Sequence, residues 1–145
     1  MIKILKLILF SFFIINIFNI AYSKEEYFKK GLELYKDKKY DDAKFMFEKS
    51  IVFNPKNSHS YLYLAKIFNY KEDQNNEEKN LNTTLLIEPE NEEAILMLMK
   101  ISLEKSNYSK VKELSKKFSQ VCKKLCNENK KILENLANIE PKNDS

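Results

Sequence analysis

Apolar and polar positions follow two different rhythms along this chain. From Leu7 to Ile20 nearly every residue is apolar, and only Ser11, Asn16 and Asn19 interrupt the run. From Lys24 onward apolar residues return every three or four positions among Lys, Glu, Asp and Asn. That second rhythm is the mark of helices with one buried stripe. With Gly only at 31 and Pro only at 55, 89 and 141, there is too little turn chemistry for a many-stranded sheet. The pattern predicts helices at 24–37, 40–53, 58–71, 75–87, 91–105 and 108–138. In the last of these Val111, Phe118, Leu125 and Ile132 recur at heptad spacing, with Leu114 and Val121 between them. Neither Gly nor Pro intervenes before Pro141, so 108–138 reads as one long helix, or as two with a break near Asn127–Asn129. Residues 140–145 read as a frayed tail.

The first rhythm has a different use. Lys3 and Lys6 precede the apolar run, and Ala21, Tyr22 and Ser23 follow it, with small residues where a signal peptidase reads them. This is the three-part secretory pattern. The run is short beside the ~20 residues of a membrane-spanning helix. The expectation is a signal peptide over 1–23, cleaved after Ser23; the alternative is a retained membrane anchor. Export places the remainder in a periplasmic or secreted setting and removes nucleic acid from the plausible partners. Loss of Lys3 and Lys6 lowers the net charge by two, from +4 to +2.

The mature region carries an internal repeat. Tyr27, Gly31, Tyr40, Ala43, Phe47 and Pro55 form one set of marks. Small Gly31 and Ala43 suit a close helix crossing, bulky Tyr27, Tyr40 and Phe47 suit interlocking neighbours, and Pro55 ends a helix. Tyr61, Leu64, Ala65, Phe68, Leu81, Leu85 and Pro89 continue the pattern, and Pro55-Lys56-Asn57 is echoed by Pro89-Glu90-Asn91. Glu77 stands where Ala43 stood, which suggests a looser hairpin around 75–78. A third, weaker set comprises Ile95, Leu98, Met99, Tyr108, Val111 and Phe118, with Ser115 in place of an aromatic. The pattern resembles the tetratricopeptide repeat, a helical hairpin of ~34 residues. The resemblance implies an all-α fold: a right-handed α-α superhelix of about three helix–turn–helix repeats over 24–57, 58–91 and 92–125. A long C-terminal capping helix to about 138 would close it, the domain ending near 139.

In that family the first helix of each hairpin lines a concave groove that takes a peptide segment of another protein. Carried over residue by residue, the groove would include Phe28, Leu32, Tyr35, Leu62, Lys66, Asn69, Leu96, Lys100 and Leu103. The expected function is an exported adaptor or scaffold that binds a protein or peptide. The family's grip on a peptide carboxyl terminus is not carried over, because Phe28 and Leu32 stand where Lys and Asn would be needed. The alternative is a structural subunit of an envelope complex that self-associates through the last helix; its oligomeric state is left open.

Catalytic chemistry has little to stand on. His59 is the one histidine, and no motif joins it to a nucleophile and an orienting acid. The spaced His and Cys that a metal needs are missing, so no metal or cofactor is expected. Basic residues are all Lys, which excludes bidentate guanidinium grips. Cys122 and Cys126 read first as two small buried hydrophobes and second as a disulfide, which a regular helix accommodates poorly. Charge is uneven: residues 58–99 are acidic, and 100–131 are rich in Lys. Solvated helix faces explain this; the sharper alternative is peripheral contact with an anionic membrane or an acidic partner.

Overall fold

The computed structural model describes residues 25–139; the expected signal segment at 1–23 and the tail at 140–145 lie outside them. The described residues form seven helices and no strand: α1 (25–36), α2 (Tyr40–Phe53), α3 (Ser58–Tyr70), α4 (Gln74–Ile87), α5 (Glu92–Glu104), α6 (Tyr108–Val121) and α7 (Cys126–Ile139). The fold is therefore all-α, as the pattern predicts. Helices α2, α4 and α6 begin at 40, 74 and 108, and α3, α5 and α7 at 58, 92 and 126, a step of 34 in every case.

Turn chemistry recurs with the same step. The first helix of each hairpin ends on a residue with left-handed backbone: Lys38 (φ 60°), Glu72 (φ 57°) and Ser106 (φ 56°). In each turn that residue's N–H donates three residues back and the next N–H five residues back, as in Lys38 to Tyr35 (3.0 Å) and Lys39 to Leu34 (2.9 Å). This is the Schellman ending, which favours Gly because a Cβ costs ~1–2 kcal/mol in that conformation. Here Lys, Glu and Ser accept the cost. The next helix is then capped by Asp73 or Asn107, whose side chains accept from Asn76 N–H (3.1 Å) and Lys110 N–H (3.2 Å); Lys39 offers no such cap.

Two compact bodies divide within α3, between Tyr63 and Leu64. In the first, Gly31 lets α1 approach α2: a Cβ there would sit 2.7 Å from the ring of fully buried Phe47. Tyr27 stacks on Phe53 at 5.2 Å, and Tyr35 meets Tyr40 edge-on at 5.4 Å. Buried Ser60 donates its hydroxyl to buried Ser50 at 2.9 Å, so neither polar group is stranded.

In the second body α5 packs against α4, α6 and α7. Its Ala94, Ile95, Leu96, Leu98, Met99 and Ile101 are all buried, as a helix apolar on most sides requires. Helix α4 is regular through 75–78, contrary to the looseness expected from Glu77. Glu77 is buried but accepts from Asn69 Nδ2 at 3.1 and 3.2 Å.

The long last helix is corrected. Residues 122–125 break it into α6 and α7, upstream of the alternative break point at Asn127–Asn129. Cys122 and Cys126 are joined as a disulfide across this break, with Cα atoms 5.4 Å apart. Leaving the helix at 122 removes the geometric objection to such a bridge. The heptad stripe faces inward: Val111, Phe118 and Ile132 are buried and Leu125 half-buried. It joins α6 and α7 to the second body's core. No helix among the described residues is long and apolar enough to cross a membrane.

Candidate functional site

The groove positions implied by the repeat fall on both bodies. On the first, Phe28, Leu32 and Tyr35 lie on α1 and are half-buried. Phe28 reaches Phe47 (5.8 Å), His59 (6.1 Å) and Tyr63 (6.1 Å). Tyr35 meets Tyr63 at 5.1 Å. Tyr63 thus gathers both residues and stacks on Phe47 at 5.3 Å. The sequence reading missed it, although its place one residue after Leu62 puts it beside the implied surface. Leu62 itself is only 4% exposed and offers a ligand almost nothing. His59 is exposed, with Nδ1 3.2 Å from Ser58 Oγ.

On the second body, α3 presents Lys66 and Asn69, and α5 presents Leu96, Lys100 and Leu103. Lys66 is paired with Glu93 at 2.8 Å, its side chain 19% exposed. Asn69 is exposed but its amide serves Glu77. Burial holds the Glu77 carboxyl above the ordinary range, Asn69 works against this, and the charge of Glu104 adds to it. Glu104 in turn accepts from Gln74 Nε2 at 2.8 Å, and Glu78 pairs with Lys105. Leu96 is 5% exposed, so it too belongs to the core rather than to an open floor. Lys100 is exposed and Leu103 half-buried. Glu128 on α7 lies low in pKa chiefly through its hydrogen bond with Lys131, with a smaller contribution from the charge of Lys100.

The arrangement therefore offers half-buried aromatic edges on one body and exposed or paired ammoniums on the other. Such groups bind by apolar contact and charge. Among the described residues no three His, Cys, Asp or Glu side chains converge as metal ligands would. A cavity of about 600 Å³ lies along α1, lined by Glu25, Glu26, Tyr27, Lys29, Lys30, Glu33 and Met46, with none of the implied groove residues in its wall.

Helical hairpins stepping by 34 residues are the architecture of tetratricopeptide-repeat domains, and solved structures of that kind superpose on this chain. The TPR2B domain of yeast Sti1, in its pHsp70 complex, matches with a TM-score of 0.72 at 12% identity, covering 80% of this chain and 97% of that one. The Yersinia enterocolitica type III secretion chaperone SycD, in complex with a peptide of the translocator YopD, matches with a TM-score of 0.72 at 13% identity, covering 81% and 94%. The Arabidopsis OM64 TPR domain gives 0.68 at 20% identity, covering 80% and 95%. No protein-family model and no curated protein sequence matches the chain. The chain accordingly has a tetratricopeptide-repeat-like fold.

Proposed function

We propose that this chain is an exported adaptor that binds a peptide segment of a partner protein through the first-helix faces of its hairpins, without catalysing a reaction. The observation that carries the reading is the fold itself, shared with domains solved in complex with peptides, including the YopD peptide on SycD. Phe28, Leu32 and Tyr35 on the first body and Lys100 and Leu103 on the second keep accessible surface for such a peptide. Lys66 would contribute through its ion pair with Glu93, and Asn69 through its amide. Leu62 and Leu96 are buried and present almost nothing to a peptide.

Export is supported by the three-part pattern at 1–23 and by a disulfide, which persists in oxidising compartments. The alternative, self-association through the last helix, would have to use Leu133 and Ile139, which are exposed on α7, because Val111, Phe118 and Ile132 of the heptad stripe are buried. Lys112, Lys116 and Lys124 are exposed, which keeps a peripheral contact of the Lys-rich 100–131 face with anionic lipid in view. Affinity capture from envelope extracts tests the adaptor reading, with Tyr35→Ser/Lys100→Glu as the altered surface. Wild type should retain a partner that the double variant loses; identical captured sets would remove these faces as the site. Mass spectrometry of the mature chain should find Lys24 at its N-terminus, and an intact Met1 would end the cleavage claim.

A further inference from the structure

Three junctions lead from the second helix of a hairpin to the first helix of the next, and one is built differently. All three begin alike: the N–H groups of Asn54, Glu88 and Cys122 each donate to the carbonyl four residues back, at 2.8 Å. The first two then continue Pro55-Lys56-Asn57 and Pro89-Glu90-Asn91. Proline cannot extend the outgoing helix, and the asparagine caps the incoming one: Asn57 accepts from Ser60 N–H at 3.3 Å and Asn91 from Ala94 N–H at 2.9 Å.

At the third junction Lys123-Lys124-Leu125 replaces both devices. Two substitutes occupy their place. The Glu92 carboxylate, on α5, accepts from the N–H groups of Lys123 (3.0 Å), Lys124 (3.1 Å) and Leu125 (2.8 Å). The Cys122–Cys126 disulfide then ties the last residue before the break to the first residue of α7. Beyond this, few buried side chains hold α7. Its buried residues are Ile132, Leu136 and Asn129, and Asn129 Oδ1 has no hydrogen-bond partner although its Nδ2 donates to Ser119 Oγ at 3.0 Å. Cys126 is exposed and Cys122 half-buried, so the bridge is open to attack from solvent.

We propose that the Cys122–Cys126 bridge is a thiol–disulfide exchange site that locks α7 onto α5 and α6, and that its substrate-class partner is a reduced dithiol protein. In the exchange a partner thiolate attacks Sγ of Cys126. The bond to Cys122 breaks, a mixed disulfide forms, and Cys122 leaves as a thiolate that takes up a proton. The partner's second thiolate then displaces Cys126, which is protonated in turn. Two electrons and two protons pass to this chain, and the partner ends as its own disulfide. With the bridge open, the junction keeps only the Glu92 hydrogen bonds and the exposed Lys123–Glu90 pair at 3.8 Å, and α7 undocks while the Pro–Asn junctions stay closed. The inference needs only the fold; it does not depend on the peptide-binding reading, and the two are measured separately.

Amide hydrogen exchange on the full chain tests it, with the oxidised form compared against the form reduced by dithiothreitol. Amides of 123–139 should exchange about tenfold faster or more after reduction, while those of α2 and α4 keep their rates. A Cys122→Ser/Cys126→Ser variant should match the reduced chain and ignore the reductant. Adding Lys123→Pro and Leu125→Asn to that variant installs the junction used elsewhere and should restore protection of α7. Equal protection of 123–139 in oxidised and reduced chains would overturn the lock. An unprotected α7 in the four-residue variant would overturn the claim that the bridge stands in for proline and asparagine.

Discussion

In the first hairpin a glycine lies under a phenylalanine; two steps of 34 later the sizes are exchanged. Gly31 faces Phe47, whereas the corresponding places in the third hairpin hold Met99 and Ser115, and those of the second hold Ala65 and Leu81. Gly31, Phe47, Ala65, Leu81 and Met99 are buried, and Ser115 is 6% exposed. The difference teaches that the hairpin constrains a shared volume and leaves open which helix fills it, as close-packed interiors allow when total volume is kept. A repeat can therefore lose its most recognisable residues and still close.

The strongest way to break this comparison is to empty the first hairpin. Phe47→Ser should destabilise the chain by ~3–5 kcal/mol, read from the urea midpoint by circular dichroism. Adding Gly31→Met imports the third hairpin's pair and should recover ~1–3 kcal/mol as coupling between neighbours. A double variant no more stable than the single one would show that the volumes do not interchange.

Glu92 tests the contrast between junctions and ranks next. Its carboxyl is held below the usual 4.5 mainly by the Leu125 N–H, with smaller help from the N–H groups of Lys124 and Lys123. A depressed folded-state pKa gives stability that is present above pH 4.5 and lost as pH falls through the lowered value. Glu92→Gln should lower the thermal midpoint at neutral pH and flatten this acid-side loss; an unchanged midpoint would mean the three hydrogen bonds are incidental.

Glu77 should respond with the opposite sign. Burial raises its folded-state pKa above 4.5, so its contribution is most favourable below pH 4.5 and diminishes as pH rises through the raised value. Glu77→Gln keeps an acceptor for Asn69 without a buried charge and should gain about 1 kcal/mol at neutral pH. A loss there would show that the carboxylate is needed in its charged form.

The smallest effects probe what the hairpins share. Lys38→Gly, Glu72→Gly and Ser106→Gly each relieve a left-handed residue and should each stabilise by about 0.5–1 kcal/mol, after the entropy that glycine adds to the unfolded chain. Similar gains at all three turns would confirm a common ending, and a loss at one would single it out.

Much of this architecture can be read from side-chain period alone. Tyr27, Gly31, Tyr40, Ala43, Phe47 and Pro55 place the first hairpin, and Pro89 marks the end of the second. The break at 122–125 was illegible as a breaker signal, because Lys123 replaces the expected proline and the disulfide is visible only once 122 leaves the helix. The 34-residue step, followed past the weak third repeat, would have placed a new helix at 126 and found α7. The binding faces were less legible. Repeat position says which way Leu62 and Leu96 point but not what covers them, and both are buried. Lys66 shows the same limit: its ion pair with Glu93 joins residues on two different helices.

The clustering of rings in the first body decides what light can report. Among the described residues Tyr27, Tyr35, Tyr40, Tyr61 and Tyr63 precede the division in α3 and Tyr70 and Tyr108 follow it, and the chain has no Trp. Intrinsic emission consequently reports mainly on the first body. Undocking of α7 would pass almost unseen in it, while backbone ellipticity would register the change at once.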